Sequence, residues 1–293
     1  MKHKMRLHSG PFELIKSGTK TIELRLYDEK RKLIKENDII EFTNRTNNEK
    51  LIAKVIKLHK YNIFEELYKH FDKISLGYLQ NEESNPNDMS IYYSKEEQEK
   101  YGVVGIEIKV LNDSDIYITK ELESDRLILR KVNKEDYKQA YKNWCSDKEV
   151  TKYVMWNVHK NEEETKKLFN IWEEEYSKPY TFRWGVELKS TNELIGVIDV
   201  VKFKKEDSRA EIGYCYGSKF WGNGYATEAL KAVIDYLLNE LNIELVVAGY
   251  EVSNPASGKV MEKAGMKCVG YLPKWIKNKE GKREDLKYCI IEK

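Results

Sequence analysis

The segment Phe220-Trp221-Gly222-Asn223-Gly224-Tyr225-Ala226-Thr227-Glu228-Ala229-Leu230 holds the residues best suited to chemistry. Two glycines and an alanine stand between a strand-like apolar run, Ala210 to Tyr216, and a helix-like run, Thr227 to Leu238. A small-residue turn that opens a helix leaves several backbone N–H groups without partners, and the helix dipole adds to their pull on an anion. Small side chains let a pyrophosphate approach that backbone. The spacing therefore predicts phosphate binding at a helix N-terminus, with a plain tight turn as the bland alternative.

The neighbours of this turn sharpen the reading. Glu211-Ile212-Gly213-Tyr214 lies about ten residues before it. Asn254-Pro255-Ala256-Ser257 lies about thirty after it, followed by Lys263-Ala264-Gly265-Met266. With Asp125-Arg126-Leu127-Ile128-Leu129-Arg130 upstream, this collinear set resembles the GNAT N-acetyltransferases, in particular the branch that acetylates N-termini of ribosomal proteins. The likeness runs from Asp125 to the C-terminus.

The resemblance implies acetyl-CoA as donor and a primary amine as acceptor: a protein N-terminus, an RNA-linked amine such as that of an aminoacyl-tRNA, or a small amine. Carried over residue by residue, it places the cofactor against Tyr214, Cys215 and Tyr216 and against the turn Trp221, Gly222, Asn223, Gly224, Tyr225, Ala226 and Thr227. Trp221 stands where the family often has Gln or Arg, so backbone N–H groups must dominate there. Asn254 matches the position that contacts the pantetheine arm, and Glu211 the acidic group that deprotonates the amine. Many members place a tyrosine seven residues after this asparagine to protonate the leaving thiolate; here that residue is Met261. Ser257 is then the expected donor, with Tyr288 as fallback. Trp156 falls in the stretch where the family places a substrate-side loop. The bland alternatives are a salt-bridged glutamate, a helix-capping serine and a core tryptophan.

The elements that must position these groups follow from pattern. Residues 119–293 give the order β-α-α-β-β-β-α-β-α-β-β, which is that of the GNAT fold: a mixed sheet flanked by helices. Helical runs are expected at Lys134 to Cys145 and Glu162 to Tyr176, and strands at Arg183 to Glu187, Leu194 to Val201 and Glu244 to Gly249. Residues 112–122 read as a linker. Residues 1–114 read as a separate unit of mostly strands, at Thr21 to Leu26, Asp38 to Phe42, Leu51 to Leu58 and Val103 to Val110, with few helices, which suggests a small barrel. The chain is thus expected to be α+β, in two domains.

In the first unit, Gly18-Thr19-Lys20-Thr21-Ile22-Glu23-Leu24-Arg25 is informative. Period two puts Glu23 and Arg25 on one face. The pattern Gly-x-Lys-x-x-Glu-x-Arg, with a late strand from Gly102 to Ile108, resembles the ASCH domain, a small barrel related to the PUA RNA-binding domains. That implies either RNA binding, with Lys20, Arg25, Arg6 and Lys16 on phosphates and Glu23 beside them, or hydrolysis of acetylated cytidine. Lys20 matches the hydrolase lysine, but Glu23 stands where the hydrolases carry threonine. A non-catalytic RNA-binding regulator is the rival for the whole chain.

Composition bounds the rest. Of 293 residues 41% are hydrophobic and 34% charged, enough for cores and a solvated surface. A net charge of +2 argues against indiscriminate nucleic-acid binding. The charge is polarised, however: residues 1–60 hold 15 Lys and Arg against 8 Asp and Glu, and residues 61–118 hold 5 against 12. No apolar run has the length of a membrane span and the N-terminus lacks a signal-peptide core, so a cytoplasmic protein without membrane contact is expected. Cys145, Cys215, Cys268 and Cys289 show no C-x-x-C pairing and the five histidines are scattered. Free structural thiols and no metal are expected.

Overall fold

A computed structural model describes residues 1–293. The chain divides into two compact units, Met1–Asn112 and Asp113–Lys293.

The first unit contains β1 (Lys2–Leu7), α1 (Ser9–Lys16), β2 (Ile22–Leu26), β3 (Ile39–Asn44), β4 (Lys50–Tyr61), α2 (Phe64–Tyr68), α3 (Lys73–Leu76), α4 (Lys95–Tyr101) and β5 (Val103–Val110). Its five strands form one curled sheet, a half-barrel, in the order β1-β3-β4-β5-β2. Only β1 and β3 run parallel. The strand β1 was not legible from composition: lysines, histidine and arginine alternate with Met5 and Leu7, and only those two are buried. Phe12 and Ile15 of α1 pack onto Phe42, Val55 and Ile106. On the other side, Phe64 and Leu67 pack onto Ile22, Leu24 and Val103. Capping is local: Ser94 and Glu97 close a reciprocal capping box on α4.

The second unit contains α5 (Asp113–Ile116), β6 (Leu122–Glu123), β7 (Leu127–Arg130), α6 (Tyr137–Ala140), α7 (Lys148–Thr151), α8 (Glu162–Glu175), β8 (Arg183–Leu188), β9 (Leu194–Lys204), β10 (Arg209–Tyr216), α9 (Tyr225–Asp235), β11 (Leu245–Glu251), α10 (Pro255–Lys263), β12 (Lys267–Lys277) and β13 (Arg283–Glu292). Eight strands form one sheet in the order β12-β13-β11-β10-β9-β8-β7-β6, and β10 with β11 is its one parallel pair. Ala229, Leu230, Val233 and Ile234 form the buried stripe of α9 over one face. Ala140, Trp144 and Phe169 fill the other face with Val132 and Leu194.

Two sequence expectations are corrected here and a third gains detail. Residues 112–122 are not a free linker. Their carbonyls at Ile118 and Lys120 accept the Tyr236 hydroxyl (2.8 Å) and the Trp184 indole N–H (2.6 Å), and the buried Thr119 hydroxyl donates to Thr181 O at 2.8 Å. Large buried rings need partners for their polar atoms, and this segment supplies them. The run Lys134 to Cys145 is helical throughout, as expected, but with mixed winding. It passes from a 3-10 turn through α6 into a π turn at Tyr141–Cys145. Finally, Cys268 and Cys289 are bonded to each other as directly opposed residues of β12 and β13, a pairing that only the hairpin register reveals. Cys145 and Cys215 are free. Burial pushes the Cys145 thiol up to about 12 and Cys215 well above its ordinary value, which suits inert packing groups.

Candidate active site

The glycine turn has the geometry its composition suggests. Gly222 and Gly224 lie at φ 80° and 81°, the left-handed region that only glycine enters cheaply. Gly224 is the N-cap of α9, and the first helical bond is Glu228 N–H to Gly224 O at 3.0 Å. The N–H groups from Gly222 through Thr227 therefore have no acceptor within the chain. A Cβ built on Gly222 would meet nothing within 4 Å, and one on Gly224 only the Arg126 guanidinium at 3.6 Å. The turn is open as well as rich in donors.

Beside the turn the sheet splits. β10 and β11 pair from Arg209↔Leu245 to Ile212↔Ala248 and then part. β10 stays bonded to β9 as far as Tyr216, and β11 to β13 as far as Glu251. Each strand therefore loses its ladder partner on the inner side alone. Unpaired strand edges that face each other across a gap form a slot for an extended, hydrogen-bonding ligand. A register shift in the β9–β10 pairing between Glu211 and Ile212 marks where the bend begins.

Side chains flank the gap in two groups. Residues Ala210, Ile212, Tyr214 and Tyr216 alternate onto the face covered by α9 and α10. There the Tyr214 hydroxyl lies 2.9 Å from Ser257 Oγ and 3.0 Å from Ser257 O. Burial pushes the Tyr214 phenol up to about 12. The Asn254 side chain caps α10 by accepting from the Ser257 N–H at 3.4 Å. Glu211 and Cys215 point to the opposite face. There Tyr288 donates its hydroxyl to Glu211 Oε1 at 3.3 Å. Burial, then the Glu211 charge, raises the Tyr288 phenol. The ring crosses the sheet over Gly249, where a Cβ would lie 3.2 Å from Tyr288 Cε1. The three residues expected to carry proton transfer are thus split: Ser257 on one side of the gap, Glu211 with Tyr288 on the other.

Trp221 is half exposed and donates its indole N–H to Tyr216 O at 2.8 Å. It braces the end of β10 against the turn. Trp156 packs at the edge of the Trp144 and Phe169 cluster, its ring 5.6 Å from that of His159. Its loop is tied down where Tyr153 donates to Ser253 O at 3.0 Å.

Sequence reasoning gave no role to Arg126. Its guanidinium donates to Glu228 Oε2 at 2.7 Å and to Asn223 O at 3.1 Å, and it stacks on the Tyr225 ring at 4.5 Å. Ser124 adds a 2.7 Å bond to the same carboxylate. Burial alone would push the Glu228 carboxyl up. The Arg126 N–H, the Ser124 hydroxyl and the Arg126 charge outweigh it and hold the carboxyl below its ordinary value. Arg126 thus brings a cation to the turn, ion-paired with Glu228. The signal was the Asp125-Arg126-Leu127 motif itself.

In the first unit, Lys20 and Glu23 are buried and line a cavity of about 700 Å³ with Arg25. Lys20 Nζ donates to Ile22 O and Leu76 O, both at 2.7 Å, and lies 3.8 Å from Glu23. Arg25 holds Glu23 at 2.7 Å. Burial pushes the Lys20 ammonium below its ordinary value against the pull of Glu23. Arg6 and Arg45 line the same cavity and are exposed, whereas Lys16 is bonded to Glu49 at 2.6 Å.

Comparison with known proteins agrees with this geometry. Residues 126–267 match the acetyltransferase (GNAT) domain model and residues 5–112 the ASCH domain model. The chain is 31% identical over 155 residues to the uncharacterized N-acetyltransferase YoaA of Bacillus subtilis (strain 168), across 53% of this chain and 87% of that protein. The chain belongs to the GNAT acetyltransferase family. Its GNAT domain is also similar to the ribosomal-protein-serine acetyltransferase of Escherichia coli (strain K12), at 25% identity over 56% of this chain and 85% of that one. A GNAT acetyltransferase structure from Bacillus anthracis superimposes with a TM-score of 0.53 at 29% identity, covering 59% of this chain and 98% of that structure. GNAT acetyltransferases take their acetyl group from acetyl-CoA. The residues present fit that donor: unpartnered N–H groups suit its pyrophosphate, and the open strand edges suit its amide-bearing arm. No helix is long and apolar enough to cross a membrane.

Proposed function

We propose that residues 113–293 transfer acetyl from acetyl-CoA to a primary amine, with the donor lying between β10 and β11 and its phosphates on the turn Gly222 to Thr227. The observation that carries this reading is the one-sided loss of pairing beyond Ile212 and Ala248 beside six N–H groups without acceptors. Bound acetyl-CoA supplies an activated acetyl group and a thiol leaving group. The chain's own residues do the rest. The N–H groups of the turn hold the phosphates, with Arg126 fixing the Asn223 carbonyl so that the N–H groups stay aimed. The unpaired edges, from Tyr214 to Tyr216 and at Gly249 to Glu251, orient the arm, and Asn254 holds the start of α10. When the Tyr214 hydroxyl donates its hydrogen bond to Ser257 Oγ, the Ser257 hydroxyl keeps its own hydrogen to donate to the departing sulfur. Glu211, on the other face, stands on the acceptor side.

An amine at the N-terminus of a protein is the acceptor favoured by the similarity to a ribosomal-protein-serine acetyltransferase. Thiol release from acetyl-CoA is the test, with peptides bearing free or blocked N-termini. Release with the free amine alone supports the reading, and no release with any amine refutes it.

For the ASCH domain, exposed Arg6 and Arg45 at the cavity support RNA binding through phosphates. Lys20 is not suited to that role, since it is buried with two of its three donors on carbonyls and its charge beside Glu23. Acetylcytidine hydrolysis is disfavoured by Glu23, a carboxylate locked to Arg25 where the hydrolases carry a hydroxyl.

A further inference from the structure

We propose that Asp199, on β9, is the group that takes the proton from the incoming ammonium, a role that rests on acetyl transfer to an amine in the gap between β10 and β11. Asp199 stands opposite Gly213 in the β9–β10 pairing. Gly213 is the first residue of β10 past the last β10–β11 pair, and continuing the register would set it against Gly249. Glycines therefore form both lips of the gap on this face, with the Tyr288 ring over Gly249 and the Val201 side chain beside Gly213 as its walls. A Cβ on Gly213 would lie 2.8 Å from Val201 Cγ1 and 3.5 Å from Asp199 Oδ1, so the carboxylate borders the lip next to an apolar wall.

The environment of Asp199 leaves its oxygens available. Its side chain is 22% exposed. The nearest cation, Arg183 Nε, is 3.5 Å from Oδ2, too far for a good hydrogen bond. That Nε is a buried atom that makes no well-formed hydrogen bond, its one contact being this ion pair. Arg183 is drawn away, donating to Glu175 at 2.9 Å and stacking on Trp172 at 4.4 Å. Glu211, the carboxylate expected to do this work, already receives the Tyr288 hydroxyl and has Lys202 directly opposite it. A sheltered carboxylate held only by one long contact, from Arg183 to Oδ2, keeps Oδ1 for an ammonium ion.

The groups that face Asp199 are Arg183 from β8, Glu175 and Tyr176 from α8, and Cys215 from β10. Burial pushes the Asp199 carboxyl up to about 6, against Arg183 and with Glu175 adding to the rise. Near neutral pH it is ionised and still a useful base. In the step, the ammonium gives one proton to Asp199 and the nitrogen lone pair forms the new N–C bond. The C–S bond breaks, the sulfur takes up a proton in place of the second one lost from nitrogen, and Asp199 returns its proton to water.

The test uses the full chain with a tetrapeptide amide bearing an N-terminal serine, and spermidine as a second amine. Wild-type kcat/KM should fall below about pH 6. Asp199→Asn should lose about a hundredfold at pH 7. Its remaining rate should rise tenfold per pH unit toward the amine's own pKa, with no break near 6. Asp199→Glu should recover part of the rate, and Glu211→Gln should keep the acid limb. A readout independent of turnover is carbon-13 NMR of the Asp199 carboxyl in the protein without acetyl-CoA. Adding either amine should lower its titration midpoint, and an unmoved midpoint overturns the proposal. So does an Asp199→Asn protein that binds acetyl-CoA normally and keeps both rate and acid limb. If the wild type acetylates neither amine, the acceptor reading fails, and this proposal with it. A lost role for Asp199 alone would leave wild-type turnover intact.

Discussion

Replacing Gly224 by alanine isolates what the turn does. At φ 81° an alanine Cβ meets only Arg126 at 3.6 Å, so the cost is conformational and not a clash. A left-handed residue costs about 1–2 kcal/mol for a side chain with a Cβ. In a unit of this size each kcal/mol lowers Tm by about 2–4 °C. Gly281 offers a matched control: it has the same φ of 81°, nothing within 4 Å, and lies in the exposed turn before β13. Gly281→Ala should therefore cost similar stability and leave acetyl-CoA affinity alone. In Gly224→Ala, relaxation of the strained backbone re-aims two or more N–H groups. Each hydrogen bond to a charged oxygen is worth about 1.5–3 kcal/mol, so Kd should rise by at least about tenfold. Calorimetry on both variants, with thermal unfolding alongside, checks this. A folded Gly224→Ala protein with the same Kd as Gly281→Ala would refute the turn as the phosphate site.

Other expectations follow from the same contacts. Ser257→Ala and Tyr214→Phe should each lower kcat about tenfold with little change in acetyl-CoA Kd, and the double variant should be no slower than the worse single one, since both break one hydrogen-bonded pair. Independent losses in single-turnover assays would separate the two residues. Glu228 has a folded pKa below its unfolded one, so its contribution is present above the unfolded value and is lost as pH falls through the folded value. Glu228→Gln should thus lower Tm at pH 7 and approach wild type as pH falls below the ordinary carboxylate range, as scanning calorimetry would record. Arg6→Ala with Arg45→Ala should weaken RNA binding and flatten its salt dependence while acetyl transfer to a peptide stays unchanged. Salt titrations of a labelled single-stranded RNA test that point.

Much of this site was legible because backbone geometry writes itself into small residues. Gly222 and Gly224 mark positions where φ is positive, and Ala210, Ile212 and Tyr216 alternate as a half-buried strand must. Asn254 followed by Pro255 reads as turn chemistry before a helix, and the structure makes Asn254, not Ser257, the cap. What stayed hidden depends on distant partners. The charged alternation of Lys2 to Leu7 becomes a strand only beside β3. Residues 113–122 become structure because Trp184 and Tyr236 need carbonyls to bond. Cys268 and Cys289 meet through a hairpin register with two irregularities. Arg126 and Asp199 are single charges among many, and only their neighbours across the sheet give them roles. Lys20 reads as a surface cation but is buried, because two carbonyls and Glu23 compensate it.

The proposed site puts the acetyl donor in the gap between β10 and β11 with its phosphates on the turn before α9. Backbone amide shifts during titration with CoA test it most directly. The largest changes should fall on the N–H groups of Gly222 to Thr227 and of Gly213 to Tyr216, with smaller ones at Gly249 to Glu251. Saturable binding that leaves these amides unmoved, with shifts gathered elsewhere on the chain, would contradict it.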